Sequence, residues 1–573
     1  MKLDRKLISK ALCMSAICCA LLTNVVYAED KDCEKTTQSA SISVNTPETF
    51  YEFIEKKNVY SSAKNPFAEK KYLNKAKEIA DKFPNDKDIQ RSYYENLSYF
   101  YADYGNSYAS VKELENALKY LDTNNLDASV FLYNQLARYY TEINEYEKAD
   151  LMLKKKAKIL KNKQIQNIDD QKIEDYATRM YFYQLQGKLG LSLPLYKEGK
   201  KIIDENSLGN THIYSRLNEP LIWYYLCIRD VDNAQKAIDV HYNISKETKD
   251  SGLKSFALEQ YVHLYGIQQE EAKARKALKG LITTSKKMYN DDSIGILDAT
   301  NYKIDYYQRI GKIENAEKYA TKNVELAEQY KEITPIVYAK TLKKLAEVKL
   351  QSNKIGEALS AIKLAKNYYL VELPENSLPI YETEKLIGDI YMSIGDIEQG
   401  LKHYKTAKDT LDKGKFTPFT YHIDIYKSIA NAYLQKGDTE NAITEINKAL
   451  NIAKSIFGED HIITLWIQLD KAYIYKDSAQ CVLAKNQIDN ILNKVKAEKV
   501  SDPFDIEFQC YMFLANSNFE KGNYDDALAN ATQALQNPFS DSNKDCADAL
   551  ISQIYEAQDK KLKSLKHKIK SKI

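Results

Sequence analysis

Ile429-Ala430-Asn431-Ala432-Tyr433-Leu434-Gln435-Lys436-Gly437-Asp438, followed by Asn441-Ala442-Ile443 and Ala449-Leu450, decides the fold. Gly437 marks the end of a helix, because glycine accepts the positive φ of a helix stop. Ala442 and Ala449, seven residues apart, share one face of the next helix. The stretch predicts two antiparallel helices that cross closely at Ala442. Tyr433 then fills the gap to a neighbouring copy and keeps its hydroxyl at a polar edge.

Copies exist along most of the chain. Tyr101, Tyr140, Tyr183, Tyr225, Tyr265, Tyr307, Tyr391, Tyr433 and Tyr475 recur about every 42 residues, and the series lapses only at Lys349 and Asn518. Nine positions after each anchor stands a small residue: Ser110, Ala149, Ser192, Ala234, Ala274, Ala316, Ala358, Gly400, Ala442, Ala484 and Ala527. Tyrosine is 45 of 573 residues, so eleven arbitrary positions would hold roughly one. The chain is a repeat array.

The preceding copy reads Ile387-Gly388-Asp389-Ile390-Tyr391, then Gly395-Asp396, Gly400, Tyr404 and Ala407. Together these copies resemble the tetratricopeptide repeat, with its L-G-x-x-Y, its glycine turn and its alanines on a second helix. The resemblance runs from Arg91 to Pro538. The positions three before the anchor, 304, 346, 388, 430 and 472, are spaced by 42, not by the usual 34. Eight extra residues add about two helical turns. The 42-residue form is similar to that of kinesin light chains and MalT-like regulators. Phe457-Gly458-Glu459-Asp460-His461 with Thr464 resembles the kinesin-light-chain linker, except that Ile462 replaces its proline. The resemblance implies an all-α fold: a right-handed superhelical solenoid of about eleven helix-turn-helix units, acting on proteins or extended peptides. The low content of Gly (18) and Pro (11) suits it.

The ends read differently. Lys2, Arg5, Lys6 and Lys10 precede an apolar run from Ala11 to Val26, and Val26-Tyr27-Ala28 offers a cleavage site. Residues 1–28 are therefore expected to be a signal peptide, which places the protein in the periplasm or outside the cell. An uncleaved anchor is the alternative. No later stretch is apolar enough to span a membrane. Residues 29–46 read as a flexible leader, 47–90 as capping helices, 91–540 as the solenoid, and 541–573 as a capping helix with a basic tail. Lys560 to Lys572 hold seven lysines and no acid. That tail is either the solvated face of the cap or a contact for an acidic surface. The whole chain carries +2, and removing four basic residues and one acid with the signal leaves −1, so charge gives no support for nucleic-acid binding.

Five cysteines remain after cleavage: Cys33, Cys227, Cys481, Cys510 and Cys546. Cys510 and Cys546 are about one repeat apart and are a candidate disulfide; burial as free thiols is the alternative. No metal spacing, phosphate loop, dinucleotide fingerprint or nucleophile motif is present, so no enzyme, cofactor or metal is expected.

A binding surface can be read through the resemblance. In such solenoids the position two residues before the anchor faces the groove. In order it holds Tyr99, Arg138, Tyr181, Trp223, His263, Asp305, Glu347, Asp389, Asn431, Tyr473 and Asn516. Tyr181, Trp223 and His263 are expected to form an aromatic stripe, with packing between helices as the other reading for the first two. Asp305, Glu347 and Asp389 form an acidic one. Lys343, Lys385 and Lys427 precede Glu347, Asp389 and Asn431 by one turn and are expected to face them. Lys427 with Asn431 matches the start of a carboxylate clamp that later repeats do not complete. A structural subunit of an envelope or secretion assembly, using the solenoid ends and convex face, is the competing function.

Overall fold

The helices begin where a side chain can bond the exposed amides of a first turn. Thr46 accepts from the Thr49 amide, Asn65 from Ala68 and Asp86 from Ile89. Pro47 and Pro66 open two helices at positions where no N–H is needed. The computed structural model describes residues 46–558 apart from 163–164, 291, 418–419, 498–503 and 537–540. The expected signal peptide, the leader up to residue 45, Cys33 and the basic tail from Lys560 lie outside the described residues.

α1 (Pro47–Ser62) and α2 (Pro66–Ala80) make a first hairpin. The next pairs are α3 (Lys87–Asp103) with α4 (Ser107–Lys119), α5 (Leu126–Glu142) with α6 (Tyr146–Ile159), and α7 (Ile168–Leu185) with α8 (Ser192–Glu205). α9 (His212–Cys227) pairs with α10 (Val231–Glu247), α11 (Ser251–Ile267) with α12 (Glu271–Met288), and α13 (Leu297–Arg309) with α14 (Ile313–Glu328). α15 (Pro335–Gln351) and α16 (Ile355–Glu372) precede α17 (Leu378–Ser393) and α18 (Ile397–Lys413). Then come α19 (Thr420–Gln435) with α20 (Thr439–Phe457), α21 (Ile462–Asp477) with α22 (Cys481–Lys496), α23 (Phe504–Glu520) with α24 (Tyr524–Gln536), and a last helix, α25 (Asp541–Ala557). No strand occurs among the described residues. The described residues form an all-α array of repeated helix hairpins.

From α3 to α24, one turn is repeated in every hairpin. Four residues past the anchor the backbone is left-handed: at Gly105, Gly187, Gly311, Gly395, Gly437 and Gly522, and at Asn144, Arg229, Gln269, Asn353 and Ala479. The next amide returns to the anchor carbonyl, as Asp438 does to Tyr433 and Lys354 to Lys349, both at 2.9 Å. This Schellman closure satisfies a carbonyl that the helix end would leave open. It persists where Lys349 and Asn518 replace the tyrosine. All eleven small residues nine past the anchor are buried, so helix backbones approach there. In the first such hairpin Ser98 and Ser110 touch across the crossing, Oγ to Oγ, at 2.7 Å.

The described residues divide into two compact units. One runs to Tyr224 and includes Asp232–Ile394 and Thr406–Thr417; the other holds Tyr225–Val231, Gly395–Lys405 and the chain from Pro418. In the first, the repeat pattern predicts neighbour contacts only, and the structure adds long-range ones. Phe50, Leu73 and Phe100 share one apolar core with Ile294, Ile336 and Ile390. Phe67 packs on Tyr330 with ring centres 5.2 Å apart. Ser293 Oγ donates to the Ala63 and Lys64 carbonyls, and Asn106 Nδ2 donates to Glu372 at 3.4 Å. A small rotation per repeat, absent from any single repeat, brings these helices back together. α1 and α2 are also fastened to α3: buried Lys57 pairs with buried Glu69 at 3.2 Å, and Glu69 accepts from Tyr104 at 2.9 Å.

In the second unit, Cys510 and Cys546 are not joined by a disulfide, which is the other of the two readings that the sequence left open. Cys510 sits in a core with Ile488, Ile491 and Phe513, while Cys546 packs against a separate one around Met512 and Phe508. Cys510 stands on α23 and Cys546 on α25.

Candidate binding groove

The first helix of each hairpin carries the groove residues, and helix periodicity puts the positions two and six before the anchor on one face. All eight expected residues keep part of their surface accessible: Tyr181, Trp223, His263, Asp305, Glu347, Asp389, Lys427 and Asn431. Six of them belong to the first compact unit; Lys427 and Asn431 lie in the second.

The acidic stripe is not bare. Lys344 Nζ sits 3.0 Å from Asp305 and 2.9 Å from Glu347. Burial opposes the lysine's charge, yet the two carboxylates outweigh it and raise its pKa. Lys385 meets Asp389 at 3.2 Å, one turn on, as expected. The other two lysines reach across to the following first helix: Lys343 pairs with Glu382, and Lys427 with Asp470 at 2.7 Å. The lysine contacts therefore extend beyond single helices. Long lysine stems span the gap between neighbouring helices, where a carboxylate stands opposite.

The amino-terminal part of the groove is a mixed cluster. Arg216 donates to Glu174 at 2.9 Å, and Arg138 lies 3.8 Å from Glu142, which accepts from Ser107 at 2.6 Å. Tyr99 lies within the field of Glu95, Glu174, Arg138 and Arg216, and its hydroxyl, like Glu219 Oε1, has no hydrogen-bond partner among the described residues. Burial pushes Glu219 up to about 7 against the pull of Arg138 and Arg216. Glu95 rises to about 7 for the same reason, with Arg91 opposing. Burial likewise raises Glu259 well above the usual carboxylate range, Asp298 adding to the effect and Lys340 opposing it.

Lys344, Arg216, Glu174, Glu219, Glu259 and Glu382 were not among the expected site residues. The signal was present in the spacing. Six before the anchor the sequence reads Glu95, Glu219 and Glu259 early, then Lys343, Lys385 and Lys427. Nine before it stand Glu174, Arg216, Asp298, Lys340 and Glu382. Pairs between neighbouring helices follow from reading both positions together. Among the described residues no group of three or more His, Cys, Asp or Glu is placed to hold a metal, and no helix is long and apolar enough to cross a membrane.

No protein-family model and no curated protein matches the chain. Solved structures of helical repeats do. The chain is similar to the nearly identical kinesin-light-chain TPR-like repeats of Podosopora anserina, at 14% identity and TM-score 0.32, over 35% of this chain and 96% of that one. Human IFIT1 with PPP-AAAA matches at 13% and 0.41, over 79% and 94%. A Rap protein complexed with competence and sporulation factor matches at 12% and 0.42, over 65% and 98%.

Proposed function

We propose that the protein is an exported scaffold that holds a protein or an extended peptide segment in the groove of its first compact unit. The observation that carries this reading is the series Tyr181, Trp223 and His263, partly buried with some surface still accessible, at one position of three successive repeats. Large aromatics that stay accessible on a rigid wall are the side chains that concentrate binding energy. Rigidity comes from the repeated turns and from the return contacts to α1 and α2, so little ordering is required on binding.

The test is capture in the native cell. The full chain with a photo-crosslinker beside Trp223 is expected to trap a defined protein, found in the compartment to which the signal segment directs the chain. Recovery of the chain only within a large assembly, with crosslinks confined to its outer helices, supports the structural-subunit reading and overturns the groove. Retention of the chain in the cytoplasm with an intact amino terminus overturns the export element.

A further inference from the structure

We propose that Glu259, Asp298 and Tyr302 form a receptor for a cationic side chain, a lysine ammonium or arginine guanidinium, of the segment bound in the groove. The inference rests on the binding-groove reading and names the chemistry of its ligand.

Glu259 stands six before its anchor, Tyr265, and Asp298 nine before the next, Tyr307. Two repeats later the same two positions hold Lys343 and Glu382, and these form an ion pair between neighbouring helices. A slot that is filled there by a lysine and a carboxylate is lined here by two carboxylates. Lys340 pairs with Asp298 at 3.3 Å inside this set without reaching Glu259, and Lys344 is shared by Asp305 and Glu347. Glu259 has no ion pair and no hydrogen bond among the described residues, although only 9% of its surface is exposed.

A carboxylate buried without a partner is costly. Its orientation says where a partner would come from. Glu259 lies one turn before His263 on the same face of α11, the face that stays accessible in the groove. Tyr302, from the next repeat, lies within the field of Glu259, and its buried hydroxyl has no hydrogen-bond partner among the described residues. The Glu259 carboxylate and the Tyr302 hydroxyl oxygen are acceptors that Lys340, held by Asp298, leaves open. An ammonium supplies three donors and a guanidinium five. An incoming lysine would take the place that Lys343 takes two repeats later.

First helices of adjacent repeats pack about 8–10 Å apart. An extended chain advances about 3.3 Å per residue, so cations at every third residue match the repeat spacing. The probe is a fluorescein-labelled peptide of alanine and serine with a lysine at every third position. Its control carries glutamate in place of lysine. Binding to the full chain is read by fluorescence anisotropy. The lysine peptide is expected to bind and the glutamate peptide not. Glu259→Gln should weaken binding at least tenfold, while Glu198→Gln, an exposed carboxylate on α8, should leave it unchanged. Glu259→Lys should abolish binding and raise the melting temperature, because the new lysine can pair internally with Asp298. Equal loss from Glu259→Gln and Glu198→Gln would mean general charge attraction and overturn the receptor. So would binding of the glutamate peptide or of the captured native partner with Glu259→Gln indifferent, and then the groove itself would stand. If neither peptide binds and crosslinking at Trp223 traps nothing, the groove reading falls with it.

Discussion

Glu219 and Glu317 show how one residue type is tuned in opposite directions by its place in the repeat. Glu317 accepts from Lys349 at 2.8 Å and from Ser352 at 3.0 Å, and with Lys354 these hold its carboxyl at about 2. A lowered pKa adds stability that is present above the unfolded value and lost as pH falls toward 2. Glu219 is the reverse case. Burial against the field of Arg138 and Arg216 lifts it to about 7. The folded state therefore holds a proton that the unfolded state releases, so this contribution is present below about 4.5 and lost as pH rises through 7. Glu219→Gln should accordingly melt higher than the parent at pH 8, by an amount on the order of 1–3 kcal/mol, and the same as the parent at pH 4. Equal melting at both pH values would show that the carboxyl is not strained by burial. The left-handed turn gives a second residue-scale test. Gln269 and Ala479 hold φ of 55° and 61° where six repeats use glycine, and both are exposed. Gln269→Gly and Ala479→Gly should each raise stability by roughly 0.5–1 kcal/mol in denaturant unfolding, since a side chain in this region costs about 1–2 kcal/mol before the entropy of glycine is subtracted.

The hairpin is the element that the sequence encodes most openly. The interval from tyrosine to small residue marks each crossing, and every one of those small residues is buried. Gly400→Leu should force a branched side chain into a buried position that holds none and cost roughly 1–3 kcal/mol from overpacking. Tyr391→Ala should cost less than the roughly 3–5 kcal/mol of a fully buried aromatic, because Tyr391 is only partly buried against its core. Differential scanning calorimetry that finds Tyr391→Ala the more damaging of the two would mean the anchor, not the small residue, holds the crossing. Contacts between hairpins were less legible. Lys343 and Lys427 reach carboxylates on the following helix, a choice governed by the separation of two axes and not by spacing along one. Cys510 and Cys546 were matched by separation alone, yet they face different cores. Linear spacing fixes which face a residue occupies within its helix; it leaves open which neighbour that face meets.

At the scale of the whole chain, the least legible feature is the return of the first helices onto α13 to α16. Gly105 comes so close to Ile336 that an added Cβ would lie 3.3 Å from the Ile336 Cγ2. A period of 42 fixes each step of the solenoid, but the rotation between steps accumulates from packing details that no motif records. Ile336→Ala should cost about 2–5 kcal/mol as a buried aliphatic truncation. Hydrogen exchange should then quicken in α3 as well as in α15; quickening in α15 alone would contradict the return contact. The central claim is that the groove of the first compact unit binds a partner segment, and Trp223→Ala tests it most directly. With the crosslinked native partner in hand, its affinity for the parent and the variant is measured alongside their melting temperatures. Affinity should fall about thirtyfold, roughly 2 kcal/mol, with melting unchanged; a lowered melting temperature with affinity intact would mean that Trp223 packs between helices and binds nothing.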